Sequence, residues 1–468
     1  MEPLSQTLAS RVFQQPLVRS ADELVFGRAP VPVRCPSGLV LGNGHVFPEI
    51  NFTLPPMLIG PDTWPQIRDL YARIIDQLLT RSQDLAVPGL VVEFEHLPPM
   101  TAEPAWGAEL TRLISTKLRA ARDAGGPPAA LRVTIVDLRE EHKPPLRRRG
   151  RGWEQMHASL EACAAAGADI LSIESTGGKE VHDAALMRAD MEGVVFALGV
   201  LAPRDMAWLW SRIVDVARRH AVLAGGDSAC GFENTAMQLA GQKMLPEVLA
   251  ALVRAMSSVR SLVAFECGAV GPSKDCAYEG PVLKAIAGVP IAMEGRSATC
   301  AHLSPIGNVA AAMADLWSNE SVPDVRLLSG PAPVASLESL VYDCRLLNAA
   351  LARGCERELR DLHVVSDAPL SAQATLLTPD AIVALAEAIT SEKDPYRRTL
   401  AAGRTAFALL ADALRDGRLK LPTREIRWLD KLRAAFDQLP AQPEALFAHV
   451  RERYRDRFDP AEYDLSME

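Results

Sequence analysis

From Leu90 onward, short runs rich in Val, Ile and Leu alternate with Ala-rich stretches of helical length, the signature of βα repeats around a parallel sheet. Strands are expected at LVVEFEHL from Leu90, LRVTIVDLR from Leu131, DILSIES from Asp169, GVVFALGV from Gly193, HAVLAGGD from His220, SLVAFECG from Ser261, IAMEGRSA from Ile291 and DVRLLSG from Asp324. Most of these runs are apolar on both sides of the pleat, as in strands covered by helices outside and packed in layers inside. Eight such strands between Leu90 and Gly330 predict an α/β fold of the TIM (β/α)8 barrel type rather than an open doubly wound sheet.

Between the strands, EQMHASLEACAAAGA, DMAWLWSRIVDVARRH and MLPEVLAALVRAMSSV carry apolar residues at i, i+3 and i+4 spacing and read as amphipathic helices over the barrel. Residues 1–89 are richer in Pro and Gly and end in the helical stretch WPQIRDLYARIIDQLLTRS, so they are expected to form an N-terminal extension packed on the barrel of residues 90–335. After that the pattern turns helical, with LESLVYDCRLLNAALARG, TPDAIVALAEAIT and YRRTLAAGRTAFALLADALRDG, and residues 336–468 read as a C-terminal helical region.

The length of 468 residues and 48% hydrophobic content allow a large buried core. No run approaches the roughly 18 uninterrupted apolar residues of a membrane helix, so no membrane span is expected. The N-terminus lacks a basic start, an apolar run and a small-residue cleavage site, which points to the cytoplasm. Eight scattered cysteines then stay thiols rather than forming a disulfide framework, leaving some of them for metal. A net charge of -8 argues against nucleic acid as a partner. The one basic cluster, Arg147, Arg148, Arg149 and Arg151, reads as a solvated loop.

Many predicted strands end in polar or small residues, such as Glu95-His96, Glu174-Ser175, Gly226-Asp227 and Glu294-Gly295, and in a TIM barrel those ends form the catalytic face. No CxxC, HExxH or HxH is present, so a metal argument rests on placement. Glu174 ends one strand, Cys230 lies just beyond another, and Cys276 lies in the loop GAVGPSKDC, which brings all three to one end of the barrel. Two thiolates and a carboxylate suit zinc and leave a fourth position open; placement alone equally allows buried apolar thiols. Asp227, Asp275, Glu93 and Glu95 lie near the same ends and are candidates for acid–base work or for hydrogen bonding behind the ligands. Cys267 and Cys300 read as small packed thiols, and His302 as a structural histidine or a substrate contact. Lys179 and Glu180 read as a helix start.

The segment SVRSLVAFECGAVGPSKDCAYEGPVLKAIAGVPIAMEGRSATCAHLSPIGNVAAAMADLWSNESV from Ser258, with GADILSIESTGGKEV around Glu174, GGDSACGFENTAM around Cys230, PEIN at Pro48 and AWGAEL from Ala105, resembles the methanol:corrinoid methyltransferase family. The likeness runs in order through nearly the whole chain. It implies a TIM barrel with helical additions, one zinc ion held by Glu174, Cys230 and Cys276, and transfer of the methyl group of methanol to Co(I) of a corrinoid carried by a separate protein. The chain has no DxHxxG segment with which to present a histidine to cobalt, in keeping with a corrinoid protein as partner. Homo-oligomer formation is compatible with this picture.

Two departures from the family pattern flank the ligands. Thr176 stands where a methionine is usual, and Gly231-Phe232-Glu233 where smaller or uncharged residues are expected. Both bear on the substrate pocket, and they keep two rivals in view: a corrinoid-dependent demethylase for another methyl ether or alcohol, and a non-catalytic paralogue acting as a binding module.

Overall fold

The structure, a computed structural model, describes residues 11–465 apart from 53, 55, 56, 275, 277, 322–325, 328 and 329. An antiparallel hairpin, β1 (Arg28–Arg34) and β2 (Val40–Asn43), precedes seven strands of one sheet: β3 (Phe47–Phe52), β4 (Leu90–Glu95), β5 (Ala129–Ile135), β6 (Ile170–Ile173), β7 (Leu223–Asp227), β8 (Ala292–Glu294) and β9 (Leu316–Ser321). Their order is β7-β6-β5-β4-β3-β9-β8, and every neighbouring pair is parallel. All C-terminal strand ends therefore meet on one face.

The edge strands β7 and β8 are linked by the segment between them. The Val270 and Gly271 N–H groups donate to the carbonyls of Ala224 and Gly225 in β7 at 2.9 and 2.8 Å, and the Ser273 N–H donates to the Pro290 carbonyl at 3.2 Å. Gly271 has φ +89, and a Cβ there would lie 3.0 Å from the Pro290 carbonyl oxygen, so this close approach needs glycine. Inside, Arg132 of β5 reaches Glu49 of β3 at 2.6 Å, Ser172 of β6 at 2.9 Å and the Pro272 carbonyl at 3.1 Å. One guanidinium thus joins staves on opposite sides of the interior.

Four expected strands stand as β4, β5, β6 and β7, and Ile291 opens onto β8. Two expected strands are helix. GVVFALGV lies in the helix Met191–Phe196 and the π-helical turn Ala197–Leu201 that continues it, and SLVAFECG is mainly the end of the helix Glu247–Glu266. Every residue from Val248 to Phe265 is buried, and a helix covered on all sides has no polar stripe to reveal its period. The continuous helical run Met191–His220 and the helix Glu247–Glu266 have the length and apolarity to cross a bilayer, but 83% and 100% of their apolar windows are buried within the fold.

Two strands went unexpected. Phe47–Phe52 contains Pro48, Glu49 and Asn51, and Leu316–Ser321 contains no β-branched residue. Yet β3 pairs with both β4 and β9, so the sheet begins well before residue 90. Of DVRLLSG, Asp324, Val325, Leu328 and Ser329 lie outside the described residues, and Arg326–Leu327 pairs only with Gly330–Pro331. The described chain from Ala332 on is helical, from Ala332–Arg353 to Pro443–Val450.

Of the arginine cluster, Arg149 and Arg151 are exposed as expected, but Arg147 does not belong to a solvated loop. Arg147 has no exposed side chain; it pairs with Glu180 at 2.7 Å and donates to Thr176 at 2.8 Å, and its own N–H donates to Glu462 at 3.0 Å. Its ordinary place among surface cations is overridden by carboxylates that arrive from distant parts of the chain.

At the opposite end of the sheet, buried Lys284 donates to Asp315 and to the carbonyls of Val25 and Met313, each at 2.9 Å. Asp315 also accepts from the Ile291 N–H at 2.9 Å, beside the start of β8. Lys284→Met is expected to lower unfolding free energy by about 3–5 kcal/mol, because it strips a buried carboxylate of its cation. Urea denaturation reads this directly, and a loss below about 1 kcal/mol contradicts the assigned role.

Candidate metal centre

Glu174 follows β6 directly, Cys230 begins the helix Cys230–Gly241 after β7, and Cys276 sits in the turn before the helix Gly280–Ala287. One ligand atom from each lies within 4.8 Å of the other two. Zinc bonds of about 2.0–2.3 Å would place tetrahedral donors roughly 3.3–3.8 Å apart, so small rotamer changes suffice to close this set on an ion. The Cys276 thiol already donates to Glu174 Oε1 at 3.5 Å. Cys230 lies at a helix N-terminus, which favours a thiolate, and the Asn234 amide one turn on donates to its sulfur at 3.0 Å.

Without a cation the Cys230 thiol keeps its proton. A hydrogen bond from Cys276 draws the Cys230 thiol down, but burial and the Glu174 and Glu294 carboxylates outweigh it, and Cys230 is pushed up to about 12. A divalent ion reverses that balance by supplying the positive charge the site lacks, and displaces the proton.

The three residues line a cavity of 290 Å³ together with Asn51, Glu95, Gly231, Asn234, Glu294 and His302, among others. Lys274, with no exposed side chain, stands behind it: its ammonium lies 3.1 Å from Glu93, 3.5 Å from Glu95 and 3.4 Å from Glu174. Glu95 also accepts from the Asn51 amide at 2.8 Å. Among the described residues the side-chain oxygens of Asn51 and Asn234 have no hydrogen-bond partner, and both residues are on the cavity wall.

Of the other residues proposed from sequence, Glu95 lines the cavity, whereas Glu93 lies beneath it, accepting from Thr134 at 2.6 Å. Asp227 is fully buried and outside the lining. Its carboxylate accepts from Trp210 at 2.7 Å, Ser228 at 2.8 Å, Ser175 at 3.1 Å and Arg260 at 3.1 Å, which fits holding the β6 and β7 ends together better than proton transfer. Asp275 lies outside the described residues. Cys267 closes the helix Glu247–Glu266, not a strand, with its sulfur toward the Ala207 carbonyl, and Cys300 is exposed. His302 lines the cavity, and Lys179 begins the helix Lys179–Leu186 as read.

Sequence reading passed over Lys274, Asn51 and Asn234. Each stands inside a quoted motif, KDC, PEIN or NTAM, and the position of Lys274 directly before Asp275-Cys276 was the available signal. Of the departures beside the ligands, Gly231 lines the cavity and the other three face elsewhere. Thr176 donates to Asp137 at 3.0 Å, Phe232 packs edge-on against His182 at 5.0 Å, and Glu233 is buried beside Arg254. None of the three is on the cavity wall.

Cys230→Ala and Cys276→Ala are each expected to abolish stoichiometric binding of a divalent transition metal, while Cys267→Ala retains it. Elemental analysis of the three folded variants checks this, and full metal content in either of the first two contradicts the donor set.

Residues 11–464 match the family described as methanol-cobalamin methyltransferase B subunit. The chain is 35% identical over 463 residues to the methanol–corrinoid protein co-methyltransferase of Methanosarcina barkeri (strain Fusaro / DSM 804), an alignment covering 97% of this chain and 100% of that relative. It superposes on the crystal structure of the methanol:cobalamin methyltransferase complex from Methanosarcina barkeri with a TM-score of 0.92 at 34% identity, covering 97% of this chain and 99% of that one. With fold, motif order and length in agreement, the chain belongs to the methanol-cobalamin methyltransferase B subunit family.

Proposed function

We infer that this chain carries out its family's reaction, transfer of the methyl group of methanol to the cobalt of a corrinoid protein, with zinc held by Glu174, Cys230 and Cys276. The observation that carries this reading is the convergence of two thiols and a carboxylate within 4.8 Å on the wall of a cavity at the C-terminal strand ends. Two sulfurs select zinc over magnesium or calcium, and three protein donors leave a position for substrate. The Val270–Ser273 segment serves as the eighth stave, so the seven-stranded sheet closes into a (β/α)8 barrel running from Phe47 to about Ser321, with the hairpin ahead of it and the helical region from Ala332 behind.

Zinc supplies Lewis acidity, which lets an alcohol oxygen leave as hydroxide or water when the methyl carbon is attacked. The chain's own groups do the rest. Asn51 and Asn234 offer unpartnered oxygens that can accept from a small alcohol's hydroxyl. Glu95, on the cavity wall and backed by Lys274 and Asn51, is placed to hold the proton that the departing oxygen needs. Asp275 is a second candidate on sequence position alone. Asp227 supports the site from behind. The corrinoid protein approaches the open end of the cavity, because the other end of the barrel is filled by side chains such as Arg132 and Glu49.

With a Co(I) corrinoid protein and methanol, the zinc-loaded chain is expected to convert cobalt to its methylated form, followed by the visible spectrum. Chelation should reduce the rate by more than about 100-fold and zinc should restore it. Methylation from a methoxylated compound and none from methanol would establish the demethylase reading instead. Glu95→Gln is expected to keep zinc and to slow methyl transfer by about 100-fold; an unchanged rate removes Glu95 from proton handling.

A further inference from the structure

Cys230 and Cys276 are each followed three residues later by a glutamate, Glu233 and Glu279. Glu233 lies one turn into the helix that Cys230 begins, and Glu279 directly precedes the helix Gly280–Ala287. Both are 1% exposed. Both are tied to Ala229, whose N–H donates to Glu279 Oε1 at 2.7 Å and whose carbonyl accepts from the Glu233 N–H at 2.9 Å, and the two carboxyls interact.

The donors around them are few. Glu279 Oε1 accepts from the Ala229 N–H and the Ser261 hydroxyl, each at 2.7 Å. Among the described residues, Glu279 Oε2 and both oxygens of Glu233 have no hydrogen-bond donor. Arg254 and Arg260 face the pair from the helix Glu247–Glu266, and Arg254 forms a buried ion pair with Glu233. Arg254 lies 3.4 Å from Glu233 Oε2 without hydrogen-bond geometry; it donates to Gln373 at 2.7 Å and stacks on Tyr278 at 4.7 Å. Arg260 pairs with Asp227 at 3.1 Å. On the other side Phe232 separates the pair from His182.

Two facing carboxylates this deeply buried disfavour ionisation of both at once. A single proton turns one oxygen into a donor and satisfies an oxygen on each residue. We propose that Glu233 and Glu279 share one proton, carried by Glu233, and that this acid pair clasps the Cys230 turn to the Cys276 turn and so sets the spacing of the two metal-binding sulfurs. Burial and the facing Glu279 hold Glu233 well above the usual carboxylate range, and burial likewise raises Glu279. The second half of the proposal rests on the metal reading above, whereas the shared proton does not.

The direction of the pH dependence follows. A carboxyl whose folded value is raised contributes stability that is complete below its unfolded value and is lost as pH rises toward the folded one. Wild type should therefore lose its stability advantage over Glu233→Ala as pH rises from about 5 to 8.

Infrared difference spectra of the full chain against Glu233→Gln, in H2O and D2O at neutral pH, test the proton directly. The expected result is a protonated-carboxyl C=O band that shifts in D2O, is present in wild type and is absent from Glu233→Gln. No such band in wild type, or its persistence in the variant, overturns the proposal. Chelator competition for zinc then tests the clasp. Glu233→Gln, which restores a neutral donor, should stay within about twofold of wild type, while Glu233→Ala should bind zinc about 10- to 100-fold more weakly. Equal affinity in the alanine variant overturns the clasp. A wild-type chain that takes up no zinc would refute the metal reading while leaving the infrared result to stand alone.

Discussion

Lys274 brings a positive charge to a place where the chain has collected carboxylates and thiols. Its buried ammonium reaches Glu93 and Glu95 from β4 and Glu174 beyond β6, and it is carried by the same short loop that supplies Cys276. Buried like charges would drive these elements apart or force protons onto them. The cation lets Glu93 hold the β5 hydroxyl of Thr134, Glu95 reach the cavity, and Glu174 lie beside Cys276. A divalent ion at the proposed site would add the remaining charge, with metal on one side of the donor set and Lys274 on the other.

Parallel strand order makes this convergence possible. Residues from PEIN to KDC, far apart in sequence, reach one rim because every strand of the sheet points the same way. The grouping of Glu174, Cys230 and Cys276 could be anticipated from sequence for that reason, even though SLVAFECG was misread as a strand, because Cys276 still follows a segment that runs beside β7. That segment, Val270–Ser273, is four residues with Gly and Pro, and no periodicity can appear in so short a run. Likewise β3 hid behind Pro48, Glu49 and Asn51, residues that suggest a loop until Arg132 and Glu95 are seen to meet them.

The residues beside the ligands invert the simple reading. Thr176 and Phe232 belong to packing around Arg147 and His182, and Glu233 answers Glu279. A buried glutamate that shares a proton is close to the uncharged residue that the family pattern expects at that position. Sequence could mark these positions as unusual, but it could not give the direction of their side chains, which depends on a helix, Glu247–Glu266, whose identity its own uniform burial concealed.

The central claim is a zinc ion bound by Glu174, Cys230 and Cys276, and zinc K-edge X-ray absorption of the loaded chain tests it most directly. The account predicts two sulfur neighbours at about 2.3 Å, with oxygen ligands at about 2.0–2.2 Å completing the shell. A shell of three or four sulfurs, or one with none, would contradict it.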